Sequence, residues 1–541
     1  MNITPCLPIL FCVLLGACDS HKNSNVMESD TMDKNLKRNT SITVTNAYND
    51  LFLDSAALET FITRENLHDS IATRMRAFYF DRNFEFAWFA TDGLSEQGRG
   101  FWNLVSYSVT TLKDSSAFSK ALNRRMPNIT SNDTLAVRAN DTAFVTTELM
   151  LTQSFMRYLN QNGNNISNDQ LQNIIPIKKE NTMQLADAFI KTDNSPSLGK
   201  DAGDAYKLLK NQLKLYYTLA QKGGWQSIAF TGLKLKPGVN APEIALLKKR
   251  LQTVGLFAES DTTTNYNSNL DTAIKSLQAS LGYTPNGYIN DSLLKDLNIP
   301  VEKRLQQLLV NLNRLHWMPD MVPGKLIVTN IPEYVLHVYN DKKKVFEMDV
   351  VVGKDGAGTV IFTGNLTEIV FSPYWNIPPS ITKREIVPKM KADKGYMAKQ
   401  RLEITGYSNG LPIVRQLPGL KNSLGRVKFL FHNSYNIYFH DTPQKSLFNK
   451  DKRAYSHGCI RIADPVKMAE YLLEDNQKWT PEKITEAMNS GREKYVSLKH
   501  GVPVIIAYYT AWVDEIGRLN LRDDIYGHDA VTAHKMFTDF K

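Results

Sequence analysis

The chain has 541 residues, of which 42% are hydrophobic and 22% charged, so it is long enough for two to four domains with cores of their own. The 64 basic and 55 acidic residues leave a formal charge of +9 that is not gathered into long basic runs. The sequence contains no nucleic-acid motif, so we expect no nucleic-acid partner. The charge fits a protein that works near anionic polymers or anionic lipid.

The amino terminus is typical of an exported protein. Pro5 to Ala17 read PCLPILFCVLLGA, an apolar run too short to span a bilayer, and no apolar run of eighteen residues follows it. The tetrad Leu15-Gly16-Ala17-Cys18 resembles a bacterial lipobox, which implies a signal peptide over 1–17 and a lipid anchor on Cys18. An ordinary secretory signal is the alternative, since Met1 to Thr4 contain no Lys or Arg. Either signal predicts the cell envelope, on the periplasmic side.

Cysteine use separates one thiol from the rest. Three of the four cysteines, Cys6, Cys12 and Cys18, lie in the first eighteen residues, and Cys459 is the fourth. After processing we expect a lipid-capped Cys18, a free Cys459 and no intramolecular disulfide. An unpaired thiol in an oxidising compartment is a liability unless it has a task.

Two segments follow the signal. Residues 18–45 are polar with few large apolar side chains, which predicts a disordered tether to the membrane. Residues 46–222 carry broken helical patterns and nothing that looks catalytic, which predicts a helical scaffold region.

Residues 233–300 are predicted to form three short helices. The first follows Ala241-Pro242-Glu243 and stops at Gly255, the second stops at Gly282, and the third follows the turn Pro285-Asn286-Gly287. The strings LKLKPGVNAPEIALLKKRLQTVGLF and TAIKSLQASLGYTPNGYINDSLLKDLNIP resemble a peptidoglycan-binding domain. A connecting helix is predicted within 301–320.

The carboxy-terminal third changes to short β-branched and aromatic runs, including Lys325 to Asn330, Val345 to Val352, Val427 to Phe431 and Val502 to Tyr508. We therefore predict a mainly β domain over 325–510, with a capping insertion at about 381–424 and a carboxy-terminal tail over 511–541. The predicted fold class is multidomain α+β, with a helical scaffold and a three-helix module before the β domain.

The residues of this β domain suggest a cysteine nucleophile with its base. Tyr435 to Phe439 are predicted to pair with Val427 to Phe431, which places His440 at a strand end. Fifteen residues later comes Ser456-His457-Gly458-Cys459, followed by Ile460-Arg461-Ile462. A thiol is only a few per cent ionised at pH 7, so it needs a neighbouring base or cation, and His440 is the candidate.

His440, the fifteen-residue spacing and SHGC with Ile460-Arg461 resemble the L,D-transpeptidase (YkuD-like) catalytic domain. The strings NIPEYVLHVY, VVVGKDG, FSPYWNIPPSI, LGRVKFLFHNSYNIYFHDTP and AYSHGCIRI resemble the large periplasmic branch of that family. The resemblance implies a β-sandwich whose substrates are peptidoglycan stem peptides and glycan. It implies a 3→3 cross-link made through a Cys459 acyl-enzyme, with no metal and no organic cofactor.

The resemblance also implies roles for the neighbouring residues. His440 moves the proton, and the backbone carbonyl of Asp441 orients it. Gly458 and Cys459 donate backbone N–H groups to the developing oxyanion, each worth about 3 kcal/mol in comparable sites.

The roles of five further residues are less specific, and for some of them a purely structural role is an alternative. His457 is given a supporting role and Ser456 that of a hydrogen-bonding spacer in the substrate site. Arg461 pairs with a stem carboxylate or forms a structural ion pair. Tyr374 and Trp375 line the donor cleft or pack in a core.

Two other functions stay open on the sequence. A hydrolase of the same fold uses the same Cys459 and His440 but passes the acyl group to water, as an L,D-carboxypeptidase or endopeptidase. A non-catalytic wall-anchoring lipoprotein uses only the binding module.

Overall fold

The computed structural model describes residues 36–540 except 68, 116, 118, 132–134, 162–165, 193–197, 230–234 and 259. The predicted signal peptide, Cys18 and the tether as far as residue 35 lie outside the described residues. No helix in the described part of the chain combines the length and the apolar character that crossing a bilayer requires.

The amino-terminal region is helical, as the sequence predicts. Its helices are Ser55–Arg64, Asp69–Asp81, Glu96–Tyr107, Lys120–Thr130, Thr142–Gln161, Asn168–Ile174, Thr182–Lys191 and Lys200–Gln221. Two minimal strands, β1 (Phe89–Ala90) and β2 (Gly93–Leu94), form a hairpin among them. The core is aromatic, with Trp88, Phe101 and Phe155 in mutual ring contact at 5.2–5.3 Å.

The prediction that the tether extends to residue 45 is wrong at its carboxy-terminal end. Ile42 is buried against Ala47 and Ile177, and the Asn39 N–H donates to the Phe80 carbonyl. Residues 39–45 are thus packed on the helical region, because one apolar side chain with local hydrogen bonds is enough to fix so short a segment.

The three-helix module consists of Pro242–Thr253, Ser268–Ser280 and Asp291–Leu297 around a small core of its own. Pro242 occupies the first turn, and Asn267 and Asn290 cap the next two helices through side-chain oxygens. Lys248 is buried in this module and paired with Asp261 at 2.6 Å.

The predicted connecting helix, Val301–Leu315, is a central element of the fold, because its side chains are buried around its whole circumference. It packs on the scaffold helices and on residues 511–540 in one apolar core. Buried Arg314 pairs with Glu96 of the scaffold and with Asp529 near the carboxy terminus.

The predicted carboxy-terminal tail is wrong for residues 511–540. They form β15 (Ala511–Val513), β16 (Leu519–Leu521) and the helix His528–Met536. Ala533, Met536 and Phe537 are buried in the same core as the central helix. Apolar side chains spaced along a helix gave this segment a face to bury.

The predicted β domain is present as a nine-stranded sheet. Its strands are β3 (Lys325–Asn330), β4 (Val335–Asn340), β5 (Lys343–Gly353), β6 (Phe362–Phe371), β10 (Val427–Phe431), β11 (Phe439–His440), β12 (Ala454–Ser456), β13 (Ile460–Ile462) and β14 (Lys494–Ala507). Their order in the sheet is β12-β5-β13-β11-β10-β6-β14-β3-β4. Strand β4 also pairs with β5, so the sheet closes on itself around one apolar core. Helices Pro465–Leu473 and Pro481–Asn489 contribute to that core.

The insertion is a small unit of its own, and we call residues 375–424 the cap. It combines the three-stranded sheet β7 (Trp375–Asn376), β9 (Leu411–Gln416) and β8 (Leu402–Ser408) with the helices Pro379–Ile381, Val387–Ala392 and Tyr396–Lys399. A π-helical turn, Thr382–Ile386, joins the first two helices. Ile377, Ile386 and Val414 form its buried core. The cap begins six residues earlier than predicted, because β7 pairs with β9.

Candidate active site

Two neighbouring strands bring the predicted nucleophile and base together. Strands β11 and β13 are parallel, and His440 lies opposite Arg461 in their register. Registered residues of paired strands share a face, and side chains alternate along each strand. Cys459, two residues before Arg461, therefore lies on the same face as His440. Phe439 and Ile460 point to the other face and are fully buried in the core.

The partly buried thiol of Cys459 lies against the chain that leads into β11. Its Sγ is 3.6 Å from the carbonyl oxygen of Asn436. Tyr438 lies beside it, with its ring centroid 5.8 Å from that of His440. The sequence analysis missed Tyr438, although strand alternation puts a residue two positions before His440 on the same face.

The buried imidazole of His440 has a fixed orientation. Its Nδ1 is 2.5 Å from the carbonyl oxygen of Asp441. A carbonyl only accepts hydrogen bonds, so Nδ1 carries the proton and Nε2 keeps its lone pair. This contact matches the orienting carbonyl that the sequence resemblance implies.

Both groups are uncharged at neutral pH. Burial raises the pKa of the Cys459 thiol to about 11, against the opposing effect of hydrogen bonds from Tyr438 and of the charge on Arg461. Burial, followed by the charge on Arg461, lowers the pKa of His440 to about 3. The resting pair is thus a thiol and a neutral imidazole. Use of Cys459 as a nucleophile would therefore need removal of the Sγ proton.

The carboxylate of Asp441 serves the fold instead of the imidazole. Its Oδ2 accepts the backbone N–H of Arg426 at 2.9 Å, and its Oδ1 lies 2.8 Å from Lys445 Nζ. A Cβ at Gly425, where φ is +62°, would meet this carboxyl group at 2.3 Å. The side chain therefore fixes the turn before β10 while the main chain orients His440.

The turn Ser456–Cys459 is held by the buried Ser456 hydroxyl. Its Oγ donates to the Cys459 carbonyl at 2.5 Å and accepts the Gly458 N–H at 3.2 Å. That donor is engaged in this conformation, and the oxyanion role of the Gly458 N–H stays a prediction. Gly458 has φ of +111°, which an L side chain rarely adopts.

A second layer of contacts fixes this turn from behind. Thr359 Oγ1 donates to the Gly458 carbonyl at 2.8 Å and accepts the Gly353 N–H at 2.9 Å. The Tyr526 hydroxyl donates to the Gly353 carbonyl at 2.6 Å and accepts the Thr359 N–H at 3.1 Å. The sequence analysis missed Thr359 and Tyr526, since neither lies in the motif.

The remaining motif residues reach outward. His457 Nε2 lies 2.8 Å from Glu385 Oε1, so the Ser456–Cys459 turn contacts the cap. Arg461 donates from Nη1 to Gln444 Oε1 at 2.6 Å. The charge on Arg461 lowers the pKa of both Cys459 and His440.

Tyr374 and Trp375 are not brought to the thiol by any contact of the described residues. Trp375 packs on the core of the cap. The Arg415 guanidinium lies 4.2 Å over the ring of Tyr374, and the Tyr374 N–H donates to Glu493. Trp375 thus follows the core-packing alternative, while the ring of Tyr374 lies under the Arg415 guanidinium. No group of three His, Cys, Asp or Glu side chains in the described residues is arranged to hold a metal ion.

Comparison with protein families matches two parts of the chain. Residues 324–506 match the family model for the L,D-transpeptidase catalytic domain, YkuD, and residues 73–216 match a Scaffold domain. The β domain is an L,D-transpeptidase catalytic domain. Its matched residues are nearly those predicted, and they include His440 and Cys459.

Individual relatives match parts of this chain. A curated Haemophilus influenzae protein, described as a candidate L,D-transpeptidase, is 33% identical over 250 residues, which are 43% of this chain and 50% of that protein. This chain therefore spans about half the length of that relative. An L,D-transpeptidase from Mycobacterium smegmatis is 17% identical, with 34% of this chain and 58% of that chain covered and a TM-score of 0.20. One from Stackebrandtia nassauensis is 14% identical, with 52% and 95% covered and a TM-score of 0.22.

Proposed function

We propose that this protein is a peptidoglycan L,D-transpeptidase that forms 3→3 cross-links through a Cys459 acyl-enzyme. The observation that carries the proposal is the placement of Cys459 and the oriented His440 on one face of adjacent strands, within the matched catalytic domain. We expect this chemistry to need no metal and no organic cofactor. An acyl transfer needs a nucleophile, a base and oxyanion donors.

In the first half-reaction, Cys459 Sγ attacks the carbonyl carbon of the third stem residue, at its L-centre. The Sγ proton passes to the lone pair of His440 Nε2. This lone pair is free because the imidazole proton is on Nδ1, which contacts the Asp441 carbonyl. The C–N bond to the terminal D-alanine then breaks, and His440 returns the proton to the leaving amine. Because the thiol and the imidazole both start neutral, the proton leaves Sγ as the bond to the carbonyl carbon forms.

The Cys459 N–H is the proposed backbone donor to the oxyanion of this step. Gly458 would join it only if its N–H left Ser456 Oγ when substrate binds. In the second half-reaction a side-chain amine of another stem attacks the thioester carbonyl. The C–S bond breaks, an amide forms, and a proton of the amine returns to the thiolate.

The direct test is incubation of the purified protein with disaccharide tetrapeptides, followed by mass spectrometry, with Cys459→Ala in parallel. Dimers that lack one D-alanine, present only with the intact thiol, are the expected product. Monomeric tripeptides alone would assign the domain to the hydrolases. No thiol-dependent product would refute both enzymatic functions.

We also propose that the mature protein is anchored to a membrane through a lipid on Cys18, which places the catalytic domain in the periplasm. The lipobox-like sequence supports the anchor, and the cell-envelope substrate of the family supports the compartment. Metabolic labelling with palmitate tests it: the wild-type chain should be labelled and the Cys18→Ser variant should not.

Residues 233–300 are proposed to bind peptidoglycan. Their three helices and separate core support an independent module. Cosedimentation with purified sacculi tests this role, and deletion of residues 233–300 should lower the bound fraction. Equal binding with and without the module would refute it.

A further inference from the structure

The cap holds most of the excess positive charge of the chain. Between residues 375 and 424 the acidic residues are Glu385, Asp393 and Glu403. The basic residues of the same segment are Lys383, Arg384, Lys389, Lys391, Lys394, Lys399, Arg401, Arg415 and Lys421. The cap thus carries six more positive than negative charges, where the whole chain carries an excess of nine.

The three carboxylates of the cap are already engaged. Glu385 contacts His457, Asp393 pairs with Lys399 at 2.8 Å, and Glu403 pairs with Arg415. The other seven cations have no carboxylate within 4.0 Å among the residues that the structure describes, and all seven are exposed: Lys383, Arg384, Lys389, Lys391, Lys394, Arg401 and Lys421. Their charge is therefore not neutralised within the protein.

Part of this charge lies beside the turn Ser456–Cys459, which we call the catalytic turn. Lys383 and Arg384 directly precede Glu385 in the π-helical turn Thr382–Ile386. Glu385 contacts His457, which is two residues from Cys459. Lys389 and Lys391 follow on the helix Val387–Ala392. A Debye length is about 10 Å at 0.1 M salt, so an anionic group entering the site feels this charge.

We propose, on the basis of the proposed function, that Lys383, Arg384, Lys389, Lys391 and Lys394 form a cationic arm that binds the carboxylates of the peptidoglycan stem peptide. A stem tetrapeptide carries several carboxylates on a few residues. Exposed ion pairs are individually weak, but one-sided charge along a cleft concentrates an anionic ligand and speeds its association. The arm therefore acts on substrate capture, while Cys459 and His440 act on the bond.

The test measures the affinity of Cys459→Ala protein for a disaccharide tetrapeptide and for the same ligand with its carboxylates amidated. Amidation should weaken binding about tenfold, the low end of electrostatic steering effects. K383E/R384E in the same background should lose about as much affinity for the free acid. It should lose little for the amidated ligand, because the two changes remove one interaction.

K214E/K222E is the matched control, since it makes the same change of charge at exposed lysines in and just after the scaffold helix Lys200–Gln221. It should bind both ligands as the parent does. If the control variant lost as much affinity as K383E/R384E, net charge alone would explain the effect, and the proposal would be overturned. Unchanged thermal unfolding midpoints show that both variants fold.

Two further outcomes decide between the cationic arm and its rivals. Equal affinity for the free-acid and amidated ligands would overturn it. So would binding to phosphatidylglycerol vesicles that K383E/R384E abolishes while stem binding persists, because the arm would then serve a lipid surface. A protein that binds the stem peptide in a charge-dependent way but makes no cross-link would refute the transpeptidase function. The proposal for the cationic arm would not be affected by that result.

Discussion

The imidazole Nδ1 of His440 lies 2.5 Å from the carbonyl oxygen of Asp441, the residue that follows it in the chain. A main-chain acceptor takes the place that a carboxylate holds in many catalytic triads. It orients the ring without adding a negative charge that would raise the pKa of the imidazole. Burial and the charge on Arg461 lower the pKa of His440 to about 3 and keep it neutral, against the opposing effect of the Asp441 contact.

Alkylation of Cys459 should therefore follow the ionisation of an ordinary buried thiol. Burial disfavours the thiolate and raises its pKa to about 11, so the thiolate fraction rises about tenfold per pH unit from pH 7 to 10. The rate with iodoacetamide, followed by peptide mass spectrometry at Cys459, should rise accordingly. His440→Ala should leave the shape of this profile unchanged. A rate that is already flat above pH 6 would instead indicate a thiolate–imidazolium pair.

Asp441→Asn should lower stability more than activity. The main-chain carbonyl that orients His440 is kept, so we expect kcat/KM within a few-fold of the wild type. The substitution removes the negative charge that contacts the Arg426 N–H and Lys445 Nζ. This loss should lower the free energy of unfolding in urea by about 1–3 kcal/mol. His440→Ala is the comparison variant that lacks the base, and its kcat/KM should fall by about 10²–10⁴-fold. A comparable loss in a folded Asp441→Asn variant would assign the carboxylate a chemical role.

Tyr526→Phe tests the support behind the catalytic turn. It removes the hydroxyl that joins Gly353 to Thr359 and leaves two backbone groups without that partner. We expect a loss of about 1–3 kcal/mol of stability and a clear fall in kcat, since Thr359 holds the Gly458 carbonyl. Tyr288→Phe, at an exposed tyrosine of the three-helix module, is the control. If Tyr526→Phe kept the wild-type kcat, the Tyr526 hydroxyl would not be needed to hold the turn Ser456–Cys459 in its active geometry.

Arg314→Met should separate the scaffold from the carboxy-terminal segment. Burial alone would lower the pKa of Arg314, but Glu96 and Asp529 outweigh it and raise that pKa, so the cation is firmly paired. Removing it leaves two carboxylates beside each other, at a cost of about 3–5 kcal/mol in chemical unfolding.

The triple variant R314M/E96Q/D529N is the informative control for Arg314. It removes the unpaired charges along with the cation, so it should recover part of the lost stability. A single Arg314→Met variant that unfolds within 1 kcal/mol of the wild type would show that the three groups do not hold the segments together.

The sequence determined most of what is local. Helix and strand patterns predicted the helical scaffold, the three helices of the module and the change to β structure near Lys325, because side-chain periodicity and capping residues act over a few positions. The SHGC motif with His440 predicted the thiol and its base, because reactive groups of that kind recur at a characteristic spacing. Family comparison then confirmed the catalytic domain over residues 324–506.

Only the tertiary structure decided the rest. The Ser456 hydroxyl occupies the Gly458 N–H, Tyr526 supports a turn some seventy residues away, and residues 511–540 pack on the central helix instead of forming a tail. The pairing of β11 with β13 puts Arg461 opposite His440, and burial in the folded chain keeps the thiol and the imidazole uncharged. Such contacts join residues that are far apart in the chain, and the ionisation of a group depends on the burial and charge that only the folded chain supplies.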